Sequence, residues 1–226
     1  MHPLASSCLT LNEWVCPAYV STRSTELRLA LLQHIELTLE SVLLAFALSL
    51  PLAVAVRRSR RASEALLEIS TALYTVPSLA LFALLVPLTG FKPITVVIGL
   101  VMYALTVLVR NVLTGLAGVP AEVVEVARGL GMGPMRILLT VELPLAVPAI
   151  VAGLRVATVS TVALLTVGAV IGYGGLGNLI NDGFTNFFKA EVLTASVLCV
   201  LLALAFDAAL VLGQRLLTPW LRGRSS

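Results

Sequence analysis

The sequence predicts an all-α integral membrane protein with about five transmembrane helices, and three observations carry that prediction. A mean hydropathy of +1.01, with 58% hydrophobic and only 12% charged residues, is wrong for a water-exposed surface on a 226-residue chain. The apolar runs are too long for a β-barrel, whose strands alternate weakly over segments of about 10 residues, so the spans are helices that satisfy their own backbone groups in lipid. The net charge of +3 comes from arginines beside the spans. It therefore reports orientation in a bilayer rather than nucleic-acid binding, and no basic tract interleaved with aromatics is present.

Residues 1–27 are mixed in polarity and read as an extracytoplasmic lead-in, poorly structured or lying on the surface, with Trp14 and Tyr19 suited to the membrane interface. The segment has neither a basic start nor an apolar core, so it is not a cleavable signal peptide, and the first span acts as the insertion signal. Cys8 and Cys16 are open to a disulfide if this segment is extracytoplasmic, or to remaining two free thiols.

The first span runs from about His34 to Val56, which is enough to cross a core that needs about 20 apolar residues. Glu36 and Glu40 share a helix face near its outer mouth, where they either line an aqueous vestibule or are simply solvated. Arg57, Arg58, Arg60 and Arg61 follow. Such a cluster is held on the cytoplasmic side, which puts the N-terminus outside. The second span, about Ala65 to Leu88, contains Tyr74-Thr75-Val76-Pro77-Ser78, and Pro77 predicts a kink or break in mid-membrane. The third, about Pro93 to Leu116, carries Arg110-Asn111 near its inner end. The fourth, about Ala146 to Ile171, leads into Gly172 to Lys189, a glycine-rich outer loop. The fifth, about Ala190 to Leu217, returns inward to a short tail, residues 219–226, with Arg222 and Arg224. Residues 28–218 form one domain without an internal repeat.

Between the third and fourth spans the chain turns polar, in a module from Glu122 to Pro148. Pro120 suits a helix start, Ala121 to Leu130 runs helical with acids in its early turns, Gly131 ends it, and Gly133-Pro134 opposes continuation. A short amphipathic helix between two apolar spans lies outside the bilayer, presenting a face to water or to a partner.

No catalytic constellation can be assembled, since the only histidines are His2 and His34. Neither Lys92 nor Lys189, the only lysines, stands in a phosphate-binding loop, so any ATP chemistry belongs to another polypeptide. Gly172-Tyr173-Gly174-Gly175-Leu176-Gly177 has the spacing of a dinucleotide fingerprint, but a transmembrane helix precedes it rather than a strand, so it reads as a flexible or tightly packed outer loop. Arg155 and Asp207 lie well inside their spans, both roughly 15 Å from the cytoplasmic boundary at 1.5 Å per residue. They are expected to form an intramembrane ion pair, with Arg110 as the competing partner.

Glu125-Val126-Ala127, three residues, Gly131, nine residues, then Val141-Glu142-Leu143-Pro144 resembles the E-A-A-x(3)-G-x(9)-I-x-L-P signature of permease subunits of type I ABC importers. Val126 and Val141 depart from its commonest residues. Tyr74 to Ala80, Val109 to Asn111, Ala152 to Arg155 and Gly172 to Gly177 look like the osmoprotectant branch of that family, which handles glycine betaine, carnitine, choline and related quaternary amines. The resemblance spans roughly Leu31 to Leu217. It implies the methionine-importer-like (MetI-like) permease fold with a cytoplasmic coupling helix, and a non-catalytic pore subunit in a bacterial inner membrane. Partners would be a second permease subunit, copy or paralogue, two ATPases holding ATP and magnesium, and an external substrate-binding protein. Glu125, Ala127, Gly131, Leu143 and Pro144 would couple to the ATPase. Tyr74, Thr75, Pro77, Ser78 and Tyr103 are candidates for the substrate pathway, where the two tyrosines either meet a cation transiently or simply pack. The alternatives are a methionine-type permease and an ion-coupled secondary transporter using Glu36, Glu40 or Asp207.

Overall fold

The computed structural model describes residues 8–218, and every regular element among them is helical. In chain order these are α1 (Pro17–Thr22), α2 (Ser24–Val56), α3 (Arg60–Thr75), α4 (Ser78–Thr89), α5 (Pro93–Ala117), α6 (Ala121–Gly129), α7 (Pro134–Ile137), a π-helical turn (Leu138–Glu142), α8 (Leu143–Leu165), a 3₁₀ turn (Thr166–Ile171), α9 (Leu176–Thr185) and α10 (Lys189–Leu217). The tail read as residues 219–226 lies outside the described residues.

Four stretches are long and apolar enough to cross a membrane alone: Ser24–Val56, Pro93–Ala117, Pro134–Ile171 and Lys189–Leu216. α3 and α4 together would make a fifth, but they are bent by 94°. The break follows from Pro77, which has no N–H to donate, and from Val76, whose extended ψ of 127° ends α3. The pair meets at a sharp corner rather than a gentle kink.

α5 is the most buried span and α10 the least. α5 packs against α2, α3, α4 and α8. It comes closest to α8 where small residues face it: a Cβ on Gly115 would lie 3.1 Å from the Ala146 carbonyl oxygen, and one on Gly153 would lie 2.3 Å from Asn111 Cβ. Helices packed in lipid approach through such residues because dispersion contacts, not exclusion of water, hold them together. The Val109-Arg110-Asn111 and Ala152-to-Arg155 segments are therefore in direct contact.

Four boundaries differ from those read in the sequence. α2 starts at Ser24, ten residues ahead of the expected His34, and at about 1.5 Å per residue it is some 50 Å long, more than a bilayer core requires. The fourth span starts at Pro134, where a proline in the first helical turn is favourable, and is continuous through the π-helical turn with α8. The lead-in is folded rather than loose. Cys8 and Cys16 form a disulfide, Pro17 opens α1, and buried Tyr19 packs edge-on to Phe188 with ring centroids 5.2 Å apart. Burial, with the Glu191 carboxylate nearby, holds the Tyr19 phenol above its usual range. Asn12 clamps this loop to the start of α10, its Nδ2 donating to the Phe187 carbonyl (2.7 Å) and its Oδ1 accepting from Lys189 N–H (2.9 Å). Finally, the expected outer loop from Gly172 to Lys189 contains α9, whose Leu176 and Leu179 are buried while Asp182 is exposed.

Candidate functional site

The polar module lies at the arginine-rich end of the helices. α6 starts after Pro120 with Glu122 in its first turn and Arg128 in its last, an arrangement the helix dipole favours. It stops in a Schellman motif: Gly131 N–H donates to the Arg128 carbonyl at 2.9 Å and Met132 N–H to the Ala127 carbonyl at 3.2 Å, with Gly131 at φ +76°. A Cβ at Gly131 would meet nothing within 4 Å, so it is the backbone conformation that calls for glycine here, not lack of room.

The face presented outward differs from a simple reading of the motif. Glu125 is exposed, as are Val123, Val126, Leu130 and Met135. Ala127 is buried at 5% exposure, on the side of α6 that packs against the chain itself. Its small side chain lets α6 approach the π-helical turn. Leu143 packs with the cluster around Val109, Val112 and Ala146, and Pro144 borders a shallow hollow with Val123, Thr140 and Leu145. The module is thus joined to α8 by apolar contact and by a turn of widened hydrogen bonding, a feature frequent at functional sites.

Arg57 Nη2 donates to Glu142 Oε2 at 2.7 Å, with both side chains mostly buried. Sequence reasoning treated Arg57 only as part of a topogenic cluster and Glu142 only as the variable position of the motif. Nothing in their spacing of 85 residues signals the pair.

At the α3–α4 corner, the Tyr103 hydroxyl of α5 donates to the Val76 carbonyl, which the break has left without a helical partner. Tyr103 is buried and meets exposed Tyr74 edge-to-face, with centroids 5.6 Å apart. Thr106 Oγ1 donates to the Ser70 carbonyl at 2.8 Å, so α5 holds both the body and the end of α3. Thr75 and Pro77 are exposed and Ser78 is half-buried. Packing thus occupies Tyr103, and Tyr74 is the ring left open.

Arg155 and Asp207 come together across α8 and α10, Nε to Oδ1 at 2.7 Å and Nη2 to Oδ2 at 2.8 Å. This two-point geometry matches the planar guanidinium to the carboxylate. Arg110, the competing partner, instead donates to Thr71 Oγ1 at 3.1 Å. Glu36 and Glu40 are exposed on α2.

The glycine-rich stretch is tightly packed. A Cβ on Gly175 would lie 2.8 Å from His34 Cβ, and one on Gly177 would lie 2.4 Å from the Thr166 backbone. His34, fully buried, accepts Leu176 N–H at Nδ1 (3.2 Å), which leaves Nε2 protonated and facing the Val162 carbonyl at 3.1 Å. It ties α2, α8 and the start of α9 together. The only signal for it in the sequence was a histidine inside an apolar span.

Residues 45–223 match the family described as binding-protein-dependent transport system inner membrane component. The chain is 32% identical over 201 residues to the choline transport system permease protein OpuBB of Bacillus subtilis, covering 89% of this chain and 93% of the relative. It is 35% identical over 192 residues to the osmoprotectant import permease protein OsmW of Salmonella typhimurium (83% and 89%) and 33% identical over 187 residues to the carnitine transport permease protein OpuCB of Listeria monocytogenes (83% and 86%). Its fold is like that of a chain of the MetNI methionine ABC transporter in an inward-facing conformation, with a TM-score of 0.76 over 84% of this chain and 94% of that one, at 23% identity. The chain, an all-helical multi-pass membrane protein, belongs to the family of binding-protein-dependent transport system inner membrane components.

Proposed function

We propose that this chain is the pore subunit of a type I ABC importer for glycine betaine, choline, carnitine or a related quaternary amine, moving substrate inward by alternating access. The observation that carries the reading is the E-A-A-type segment itself. Its spacing is intact, and Glu125, Val126 and Leu130 stand exposed on a short helix capped at Gly131 and packed on the base of α8. The chain needs two ATPases that hold ATP and magnesium, a second permease subunit and an extracytoplasmic binding protein. Relatives at 31–35% identity, named for choline, carnitine, glycine betaine and osmoprotectants, favour this substrate class over methionine. Tyr74, Thr75, Pro77 and Ser78 are proposed to face the pathway at the α3–α4 corner, with Tyr74 offering its ring to the cation.

The N-terminus is assigned to the outside of a bacterial inner membrane and the C-terminus to the cytoplasm. Two features support that orientation: the arginine cluster after α2, and the Cys8–Cys16 disulfide, which suits an oxidising compartment. The test is uptake of radiolabelled glycine betaine, choline, carnitine and methionine into proteoliposomes holding the complete complex. ATP-dependent, binding-protein-dependent uptake of a quaternary amine is expected. Uptake driven by an ion gradient without ATP would refute the reading.

A further inference from the structure

The Arg57–Glu142 pair is the charged contact of a junction that apolar packing also makes, where Ala53, Val54 and Val56 of α2 share a cluster with Leu138, Leu143 and Ala146. Arg57 caps the C-terminus of α2, its N–H bonded to the Ala53 carbonyl at 2.9 Å. Glu142 is the last residue of the π-helical turn and sits inside the motif, directly before Leu143-Pro144. The α2–α3 corner that carries Arg57 is itself braced. Ser63 Oγ donates to the Val56 carbonyl at 3.0 Å, and Ser59 Oγ accepts from Ala62 N–H at 3.3 Å. The charged residues lining the clefts on either side of the pair are Arg57, Arg58, Arg128 and Glu142, so Glu142 is the one carboxylate facing three guanidinium groups there.

The π-helical turn is where the helix running from α7 into α8 departs from regular bonding, its backbone bonds closing wider rings than those on either side. Motion delivered to α6 could be absorbed there, bending the turn without moving α8. A mostly buried ion pair at the end of that turn opposes such bending, because separating the partners would leave a charge in a poorly solvated site. We infer that Arg57–Glu142 is a positioning pair for energy coupling: it fixes the end of the π-helical turn to the α2–α3 corner, so that α2 and α8 move as one body with the coupling helix. This inference rests on the importer reading.

The test uses the complete importer in proteoliposomes and reads ATP hydrolysed per substrate taken up, beside retention of the ATPase on purification. Arg57→Gln and Glu142→Gln are expected to keep the ATPase bound but to raise the ratio at least about fivefold, the lower range of allosteric coupling. The reversed pair, Arg57→Glu with Glu142→Arg, is expected to return it to within about twofold of wild type. If either single reversal fails to accumulate, accumulation and coupled uptake by the reversed pair count for the link. Normal accumulation and a wild-type ratio in both Gln variants would overturn it, as would a reversed pair no better than the worse single variant. A wild-type complex that shows no ATP-dependent uptake overturns the importer reading instead, whereas coupled wild type with unaffected Gln variants overturns this inference alone.

Discussion

Gly131 separates two explanations of why a motif glycine matters, because its conformation and its surroundings make opposite demands. Its φ of +76° lies in the left-handed region, yet an added Cβ would touch nothing within 4 Å in this chain. If the backbone is decisive, substitution costs what a side chain costs in that region, about 1–2 kcal/mol for alanine and more for a β-branched residue. Asparagine, although larger than alanine, is better tolerated there. A loss of 1–2 kcal/mol reduces the population of the capped helix end about 5- to 30-fold. The expected order of coupled uptake is therefore glycine, asparagine, alanine, valine. Gly133, at φ −70° with open space around it, supplies the control: Gly133→Ala should stay within about 0.5 kcal/mol of wild type. The assay is ATP-dependent uptake at matched membrane content, with ATPase co-purification measured on the same samples. An order that follows volume, with asparagine worse than alanine, would refute the conformational argument and point to a tight surface on the bound ATPase.

Tyr103→Phe keeps the ring beside Tyr74 but leaves the Val76 carbonyl without its donor. It should lower thermal stability in detergent by about 1–3 kcal/mol while leaving the KM for substrate unchanged, and a raised KM with unchanged stability would return Tyr103 to the substrate pathway. Gly177→Ala drives a Cβ to 2.4 Å from the Thr166 backbone, which cannot swing away as a side chain can. Overpacking of about 1–3 kcal/mol or more is expected, seen as reduced accumulation and a lower melting temperature, with Gly172→Ala failing for a different reason at φ +84°. Asp207→Asn and Arg155→Gln should each lower assembly of the complex, and the double variant should lose less than the sum of the two, because each single change leaves one charge unpaired within its span. Strict additivity in that cycle would mean the pair carries no coupling energy.

The class of the fold was legible because membrane insertion is decided by composition over long windows, which the spans around α2, α5, α8 and α10 display without ambiguity. The end of α6 was legible for a similar reason. A Schellman stop depends on one glycine and local hydrogen bonds, so Gly131 announces it. Pro77 announced that the second span is interrupted, but not the 94° corner, because what supports that corner is a hydroxyl from Tyr103, 27 residues further on. α9 was hidden by the glycines before it. Those glycines permit close packing against His34 and Thr166 rather than looseness, and composition cannot distinguish the two. The folding of residues 8–23 was missed because Asn12 and Tyr19 find their partners at Phe187, Phe188 and Lys189. Arg57 was misjudged in the same way: a charge that reads as a topogenic signal is also a specific partner of Glu142.

Three interruptions divide the helices, and each is held from a distant part of the chain. At Val76-Pro77 the freed carbonyl is taken up by Tyr103 of α5. At the π-helical turn the support is Arg57, from the end of α2. Beyond the 3₁₀ turn, Asn178 closes the glycine corner on itself, accepting from Gly174 N–H (2.9 Å) and donating to the Gly172 carbonyl (3.1 Å), while His34 of α2 fixes Leu176 and Val162. Irregular backbone within a membrane protein persists where its polar groups are satisfied from within the protein, as Tyr103, Asn178 and His34 do at the first and third breaks, whereas Arg57 at the second holds the Glu142 side chain. Two of the three supports come from α2: Arg57 caps its C-terminus, and His34 lies ten residues in from its start. A displacement of α6 that reached α2 through Arg57 would therefore be passed towards the His34 junction along a helix that stays unbroken through Pro51, without passing through any of the three breaks. That makes α2, rather than the interrupted α3–α4 pair, the element best built to relate the two ends of the subunit.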